Sequence, residues 1–143
     1  MVNLFDVAKY FLEKAEKLSG LKLQKLCYYA QAWSLVWDDK PLFIEDFEAW
    51  ATGPVYPKLF NLTQGRTRLS YNDISGDSSK LSAAQIKILD KVLNYYGDKD
   101  DIWLYLLSTK ERPWKKARKG VPPGSKCHNV ITKESMKSYY QSL

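Results

Sequence analysis

Histidine occurs once in this 143-residue chain and cysteine only twice. A single imidazole leaves one side chain whose ordinary pKa lies near neutrality, and it sits in the loop VPPGSKCHN, where solvent exposure is expected. Cys127 adjoins His128 directly instead of standing at metal-ligand spacing, and Cys27 lies far upstream in an apolar run, so neither a zinc site nor a disulfide framework is expected. A Gly-rich phosphate loop and a Ser nucleophile elbow are both missing. The acidic pairs Asp38-Asp39 and Asp100-Asp101 read as solvated loop or helix-start charges, not as acid–base pairs. These gaps point away from catalysis, cofactors and metals. No segment approaches the roughly 18 consecutive apolar residues of a membrane span, and MVNLFDVAKYF has no basic start ahead of an apolar core. A cytoplasmic protein without membrane contact is the expectation.

What the chain does have is apolar and aromatic mass, 45% and 14% of its residues, enough for a sizeable core in one domain spanning 1–143. The densest stretch, LKLQKLCYYAQAWSLVW, predicts a central helix over 21–37 that is apolar on almost every side. Leu23, Leu26, Cys27, Ala30, Trp33 and Trp37 form one seam, flanked by Tyr29, Ala32 and Val36, while Lys22 and Lys25 fall in the first turns. Gln24, Tyr28 and Gln31 follow one narrow stripe. Two readings of that stripe stay open: the amides bind backbone groups of the irregular segment that follows, or the stripe faces a partner.

An acidic connection, DDKPLFIED, leads into Phe47, Ala49 and Ala51 alternating with Glu48, Trp50 and Thr52, the pattern of one short strand over 47–52. Gly53-Pro54 is read as its stop, with Pro54 opening a helix over 55–63. Upstream, an amphipathic helix is predicted over 3–18, with Asn3 as cap, Leu4, Val7, Ala8, Phe11, Leu12, Ala15 and Leu18 on one face, and Gly20 ending it. Residues 65–80 are aperiodic and rich in Gly, Ser, Asp and Asn, the composition of an exposed loop. Ser82 to Gln85 is a capping-box pattern for a helix with Ile86, Leu89, Val92, Leu93 and Tyr96 inward and Gly97 at its close. Asp98 is read as capping the next, apolar helix through Ile102, Trp103, Tyr105 and Leu106. A helical turn starts at Pro113, and Thr132 caps a last helix to about Gln141. The fold class is mainly α: a helical bundle around an aromatic-rich central helix, with at most a small β element near 47–52.

Charge is segregated. Lys110, Arg112, Lys115, Lys116, Arg118, Lys119 and Lys126 stand against Glu111 alone, so residues 110–126 account for the whole excess of +6. Such a patch accelerates encounter with an acidic partner or holds phosphate, and loses effect with salt. Within it, Thr109 and Glu111 suit a cap for the helix opening at Pro113, Trp114 a core anchor and Arg118 a carboxylate partner. Alternatively, Trp114 and Arg118 belong to a contact surface.

The succession LKLQKLCYYAQAWSL, KPLF, FEAWATGPVYP, LSAAQIKILDKVLNYYG, TKERPWKKAR and ITKESMKSYY resembles the Panacea domain family, the SocA-like antitoxins and phage-associated GepA-like proteins, over nearly the whole chain. It departs from the family pattern at Phe60, where a tyrosine is expected nearby, and over 65–79. The resemblance implies an antitoxin that binds and neutralises a cognate protein toxin encoded by an adjacent gene. The candidate partner-contact residues are Gln24, Tyr28, Gln31, Trp50, Pro54, Tyr56, Trp114 and Arg118, with Lys110, Arg112, Lys115, Lys116 and Lys119 as a basic patch. The alternatives are a proteolytic adaptor for the toxin and a nucleic-acid-binding protein of a phage or mobile element. Against the latter, no helix-turn-helix or zinc pattern is present, and one tryptophan is not a stacking platform.

Overall fold

In the computed structural model, residues 1–64 and 66–143 are described; Gly65, at the start of the loop predicted over 65–80, lies outside the described residues. The first helix, α1 (Leu4–Lys14), opens on a reciprocal cap: Asp6 N donates to Asn3 Oδ1 at 3.1 Å, and Asn3 N to Asp6 Oδ2 at 2.9 Å. It stops four residues short of the predicted end, because Ala15 is extended and Lys17 takes a left-handed φ of 62°. Gly20 opens the next helix instead of closing this one. Ser19 caps α2 (Gly20–Trp37), and a Cβ at Gly20 would stand 2.8 Å from Thr63 Oγ1, so the glycine lets α2 start against its neighbour.

The α2 helix is the hub: α1, α4 (Ala83–Tyr96), α5 (Asp101–Lys110), α7 (Lys133–Tyr140), α3 (Pro57–Thr63) and the β2 strand (Gly53–Val55) all pack on it. Leu23, Leu26, Cys27, Tyr29 and Ala30 are fully enclosed, as the sequence pattern predicts. The seam fails at its end. Trp37 is 47% exposed and Trp33 only half-buried, because α2 runs past the shelter of its neighbours in the last turn.

A three-stranded antiparallel sheet in the order β2-β1-β3 closes one side of the hub, with β1 at Phe47–Trp50 and β3 at Val130–Ile131. Here the sequence reading needs correction. The strand predicted to 52 turns after Trp50, and Gly53-Pro54 does not stop it but starts β2, pairing Trp50 with Gly53 and Ala49 with Pro54. Pro54 is tolerated because β2 is an edge strand, where no partner misses its N–H. The proline at the start of a helix is Pro57, so α3 begins two residues later than expected. Gly53 has φ 111°, and a Cβ there would stand 2.8 Å from Lys25 Cε.

The segment from Arg66 to Leu81 is not a free loop. Two 3-10 turns, Tyr71–Asp73 and Ser78–Lys80, punctuate it, and Leu69, Ile74 and Leu81 plug into the core. Lys9 Nζ donates to the carbonyls of Tyr71 and Ile74 at 2.7 and 2.8 Å, tying the segment to α1. The capping box of α4 forms as read, although Ile88, Leu89, Val92 and Tyr96 are its buried residues, with Ile86 and Leu93 only partly covered. Asp100, not Asp98, caps α5 by accepting from Trp103 N at 2.8 Å. A short α6 (Arg112–Ala117) follows, and Thr132 caps α7.

Lys25 is a fully buried cation in this interior. Its side chain is fully enclosed, and Nζ reaches the Pro54 carbonyl at 3.2 Å. Burial lowers its pKa from 10.5 to about 7, against an opposing effect of the Asp101 carboxylate. The unfolded chain keeps this proton up to about pH 10.5, whereas the folded protein releases it near 7, so within that window the unfolded state binds more protons and stability rises with pH. Below the window both states are protonated and the full burial penalty is present. The slope from this group is at most about 1.4 kcal/mol per pH unit. Lys25→Met should flatten it, raising the urea midpoint more at pH 6 than at pH 9; a wild-type pH profile retained by the variant would dismiss Lys25 as its source.

Candidate partner-binding face

The glutamine stripe of α2 resolves into two backbone clamps. Gln24 Nε2 donates to the Tyr56 carbonyl at 3.0 Å while Tyr56 N donates to Gln24 Oε1 at 2.9 Å. Gln31 Nε2 donates to Phe43 O, and Leu42 N to Gln31 Oε1, both at 2.7 Å. Each amide spends both ends on irregular backbone, so Gln24 and Gln31 face inward in the free protein. Tyr28 is also buried, its hydroxyl 3.1 Å from that of Tyr140. Pro54 is buried in β2, and Tyr56 is half-buried.

Glu111 takes the N-cap position of α6, as expected, but its side chain makes no capping bond. Its Oε1 accepts from the hydroxyls of Tyr29 and Tyr140, each at 2.7 Å, joining α2, the α5–α6 junction and α7. Burial raises its carboxyl pKa, and the two phenols partly offset the rise. Thr109 likewise turns back along α5, donating to Tyr105 O at 2.8 Å. The Glu111 carboxyl, buried where the chain turns from α5 into α6, is taken up by the two phenols instead.

Arg118 finds carbonyls instead of the expected carboxylate. Nη1 donates to Ala49 O at 2.9 Å, and Nη2 to Pro122 O at 3.3 Å and Ser125 O at 2.8 Å. Its guanidinium also lies 5.2 Å from the ring centroid of Trp114, whose Nε1 donates to Trp50 O at 2.8 Å. Thus Trp114 and Arg118 fasten the loop after α6 to β1. The fastening shapes a groove of about 360 Å³ lined by Trp50, Thr52, Lys126, Cys127 and His128. His128 Nδ1 stands 2.9 Å from Glu48 Oε1 on its exposed edge. Sequence reasoning missed this groove because strand and loop are 80 residues apart.

The remaining cations point outward. Lys110, Arg112, Lys115, Lys116 and Lys119 are exposed, and among the described residues none has a carboxylate within ion-pairing distance. Beside them α5 buries only Leu104 and Ser108, leaving Ile102 at 69% exposure with Trp103, Tyr105 and Leu106 also in solvent. The sequence carried that signal: IWLYLL is apolar on more sides than one neighbour can cover. Among the described residues, no group of three His, Cys, Asp or Glu side chains is placed to hold a metal, and no helix is long and apolar enough to cross a membrane.

The protein is thus small and mainly helical, with a polar-clamped core, a groove beside β1, exposed apolar residues on α5 and exposed cations on and after α6. The profile of the Antitoxin SocA-like, Panacea domain family matches residues 23–115, and the chain belongs to that family. It is similar to antitoxin SocA of Caulobacter vibrioides (strain NA1000 / CB15N), 45% identical over 63 residues, a match covering 41% of this chain and 34% of the relative. The chain therefore spans about a third of that curated relative's length. No solved structure matches it.

Removing the Arg118 side chain takes a donor from three carbonyls, although Pro122 O keeps the Ser125 N–H at 3.1 Å. Arg118→Ala should cost about 2 to 3 kcal/mol and speed tryptic cleavage after Lys119 and Lys126. Unchanged stability together with unchanged cleavage would show that the loop is held by other contacts.

Proposed function

We propose that this chain is an antitoxin that silences a cognate toxin by direct protein–protein binding, through the outer faces of α5 and α6. The observation that carries the reading is the junction of exposed Ile102, Trp103, Tyr105 and Leu106 with the unpaired cations that follow. A contiguous apolar patch bordered by polar residues is what soluble proteins keep for association. Its composition favours a protein partner over nucleic acid, because isoleucine and leucine find no counterpart on a phosphate backbone. The complementary toxin surface is apolar with an acidic border. Family membership and the antitoxin name of the relative support the biological role.

The test is growth rescue on co-expression with the product of the adjacent gene, followed by co-purification. Wild type should restore growth with toxin at full level in a stable complex. Lys115, Lys116 and Lys119 changed together to Glu should weaken the complex at least tenfold in low salt, and Leu106→Asp should do so at any salt, both with unchanged circular dichroism. Rescue by both variants at wild-type levels would defeat the proposed surface. Rescue with disappearance of toxin that depends on a cellular protease would replace occlusion by delivery to degradation.

A further inference from the structure

A cavity of about 420 Å³ opens between the C-terminal turns of α2 and α4, on the side of the molecule where Glu111 is buried. Its walls are aromatic. Trp33 and Trp37 stack with centroids 4.9 Å apart and planes at 24°, and Tyr95 and Tyr96 stack at 4.7 Å and 8°. Trp33 Nε1 donates to Tyr96 OH at 2.9 Å, pinning one wall to the other. Glu111, 5% exposed, also lines the cavity. Both phenols that reach this carboxylate address Oε1, and no donor among the described residues reaches its other oxygen. The cavity therefore combines aromatic walls with a carboxyl bonded at Oε1 alone, whose other oxygen is not sealed in the core. The Tyr96 ring, sandwiched between Tyr29 and Tyr95, offers it an edge, which leaves the stacking faces to Trp37 and Tyr95.

We propose that this cavity receives a guanidinium group, the side chain of an arginine presented by a partner protein, with Glu111 as its counter-charge. Planar guanidinium stacks on indole and phenol faces, is less strongly hydrated than ammonium, and offers several N–H donors to the open carboxylate oxygen. A neutral ligand would leave the acid uncompensated, and an anion would meet it head on. The chain already lays a cation of its own at the rim: Lys91 Nζ stands 5.0 Å from the Trp37 ring centroid, without an ion pair to Glu111. Lys91 shows that the outer ring accepts positive charge, and it competes with an incoming one. That the arginine belongs to a toxin rests on the antitoxin reading above; the chemistry of the cavity does not.

The experiment uses the isolated full chain and methylguanidinium chloride, with neutral methylurea as control, read by tryptophan fluorescence and by the indole N–H resonance of Trp33. Methylguanidinium should give saturable changes with a dissociation constant on the order of millimolar, as befits so small a ligand, and methylurea none at equal concentration. Glu111→Gln keeps an acceptor for the two phenols but no charge, and should weaken binding at least tenfold. Trp37→Ala, at an exposed position that the core does not need, should weaken it severalfold, and Lys91→Gln should strengthen it. Should Glu111→Gln fail to fold, the opposite shifts of the Trp37 and Lys91 variants decide. Absence of saturation, an equal response to methylurea, or wild-type affinity in both the Trp37 and Lys91 variants would overturn the proposal. No toxin enters the assay, so its failure leaves growth rescue untouched, and failed rescue leaves the cavity's chemistry standing.

Discussion

The structure depends on enclosing α2 on nearly every side while giving each of its polar atoms a partner. A helix packed by five other helices and a strand cannot send Gln24, Lys25, Gln31 or Tyr29 to water, and an unpaired buried amide or phenol costs on the order of 1 to 3 kcal/mol. The solution is to spend each on backbone or on another buried group. Gln31 fixes the irregular turn at Leu42 and Phe43, Gln24 fixes Tyr56 ahead of α3, and Lys25 fixes the carbonyl of Pro54 between them. The non-helical stretch 38–56 thus takes its shape from side chains of the preceding helix, and β1 and β2 are placed by the same bonds.

The inward use of these groups decides what is left for recognition. The glutamines cannot serve a partner without releasing the backbone they hold, so the contact surface proposed above is built from residues with no internal obligation. Arg118 makes the division visible within one basic run: it bonds three carbonyls while the five cations around it project into solvent. Glu111 lies between the two groups. Unlike the glutamines it is bound at one oxygen only, and that half-use separates a structural clamp from a receptor.

Where structure follows from local chemistry, the sequence announced it. Asn3, Ser82 with Gln85, and Thr132 mark their helix starts because a cap involves residues only three apart, and the all-round apolarity of 21–37 reports enclosure directly. Pro54 misled because a proline after a glycine suits a helix start as well as an edge strand, and only the contact with Lys25 distinguishes them. The pairing of Val130–Ile131 with β1 was invisible, since two residues carry no period and their partner is more than 80 positions away. Leu69, Ile74 and Leu81 were hidden for a related reason: three isolated anchors in a polar stretch leave no repeat to read. At the candidate site the charge of 110–126 was legible, but which cation turns inward was not, because that choice depends on carbonyls from β1 and from a loop.

The arrangement also assigns different tasks to the two kinds of surface group. Exposed cations without partners act at a distance, within the Debye length of about 8 Å at physiological salt, and chiefly raise the rate of encounter. They add little to a formed complex, because each remains solvated and its pairing entropy is poorly repaid. Ile102, Trp103, Tyr105 and Leu106 act only on contact and slow dissociation, the step through which most affinity differences arise. An antitoxin of the kind proposed above, whose partner must be captured before it does damage, would gain from both properties at once. The two kinds of group lie on consecutive helices, α5 and α6, joined at Glu111, so encounter and contact draw on neighbouring elements of the chain.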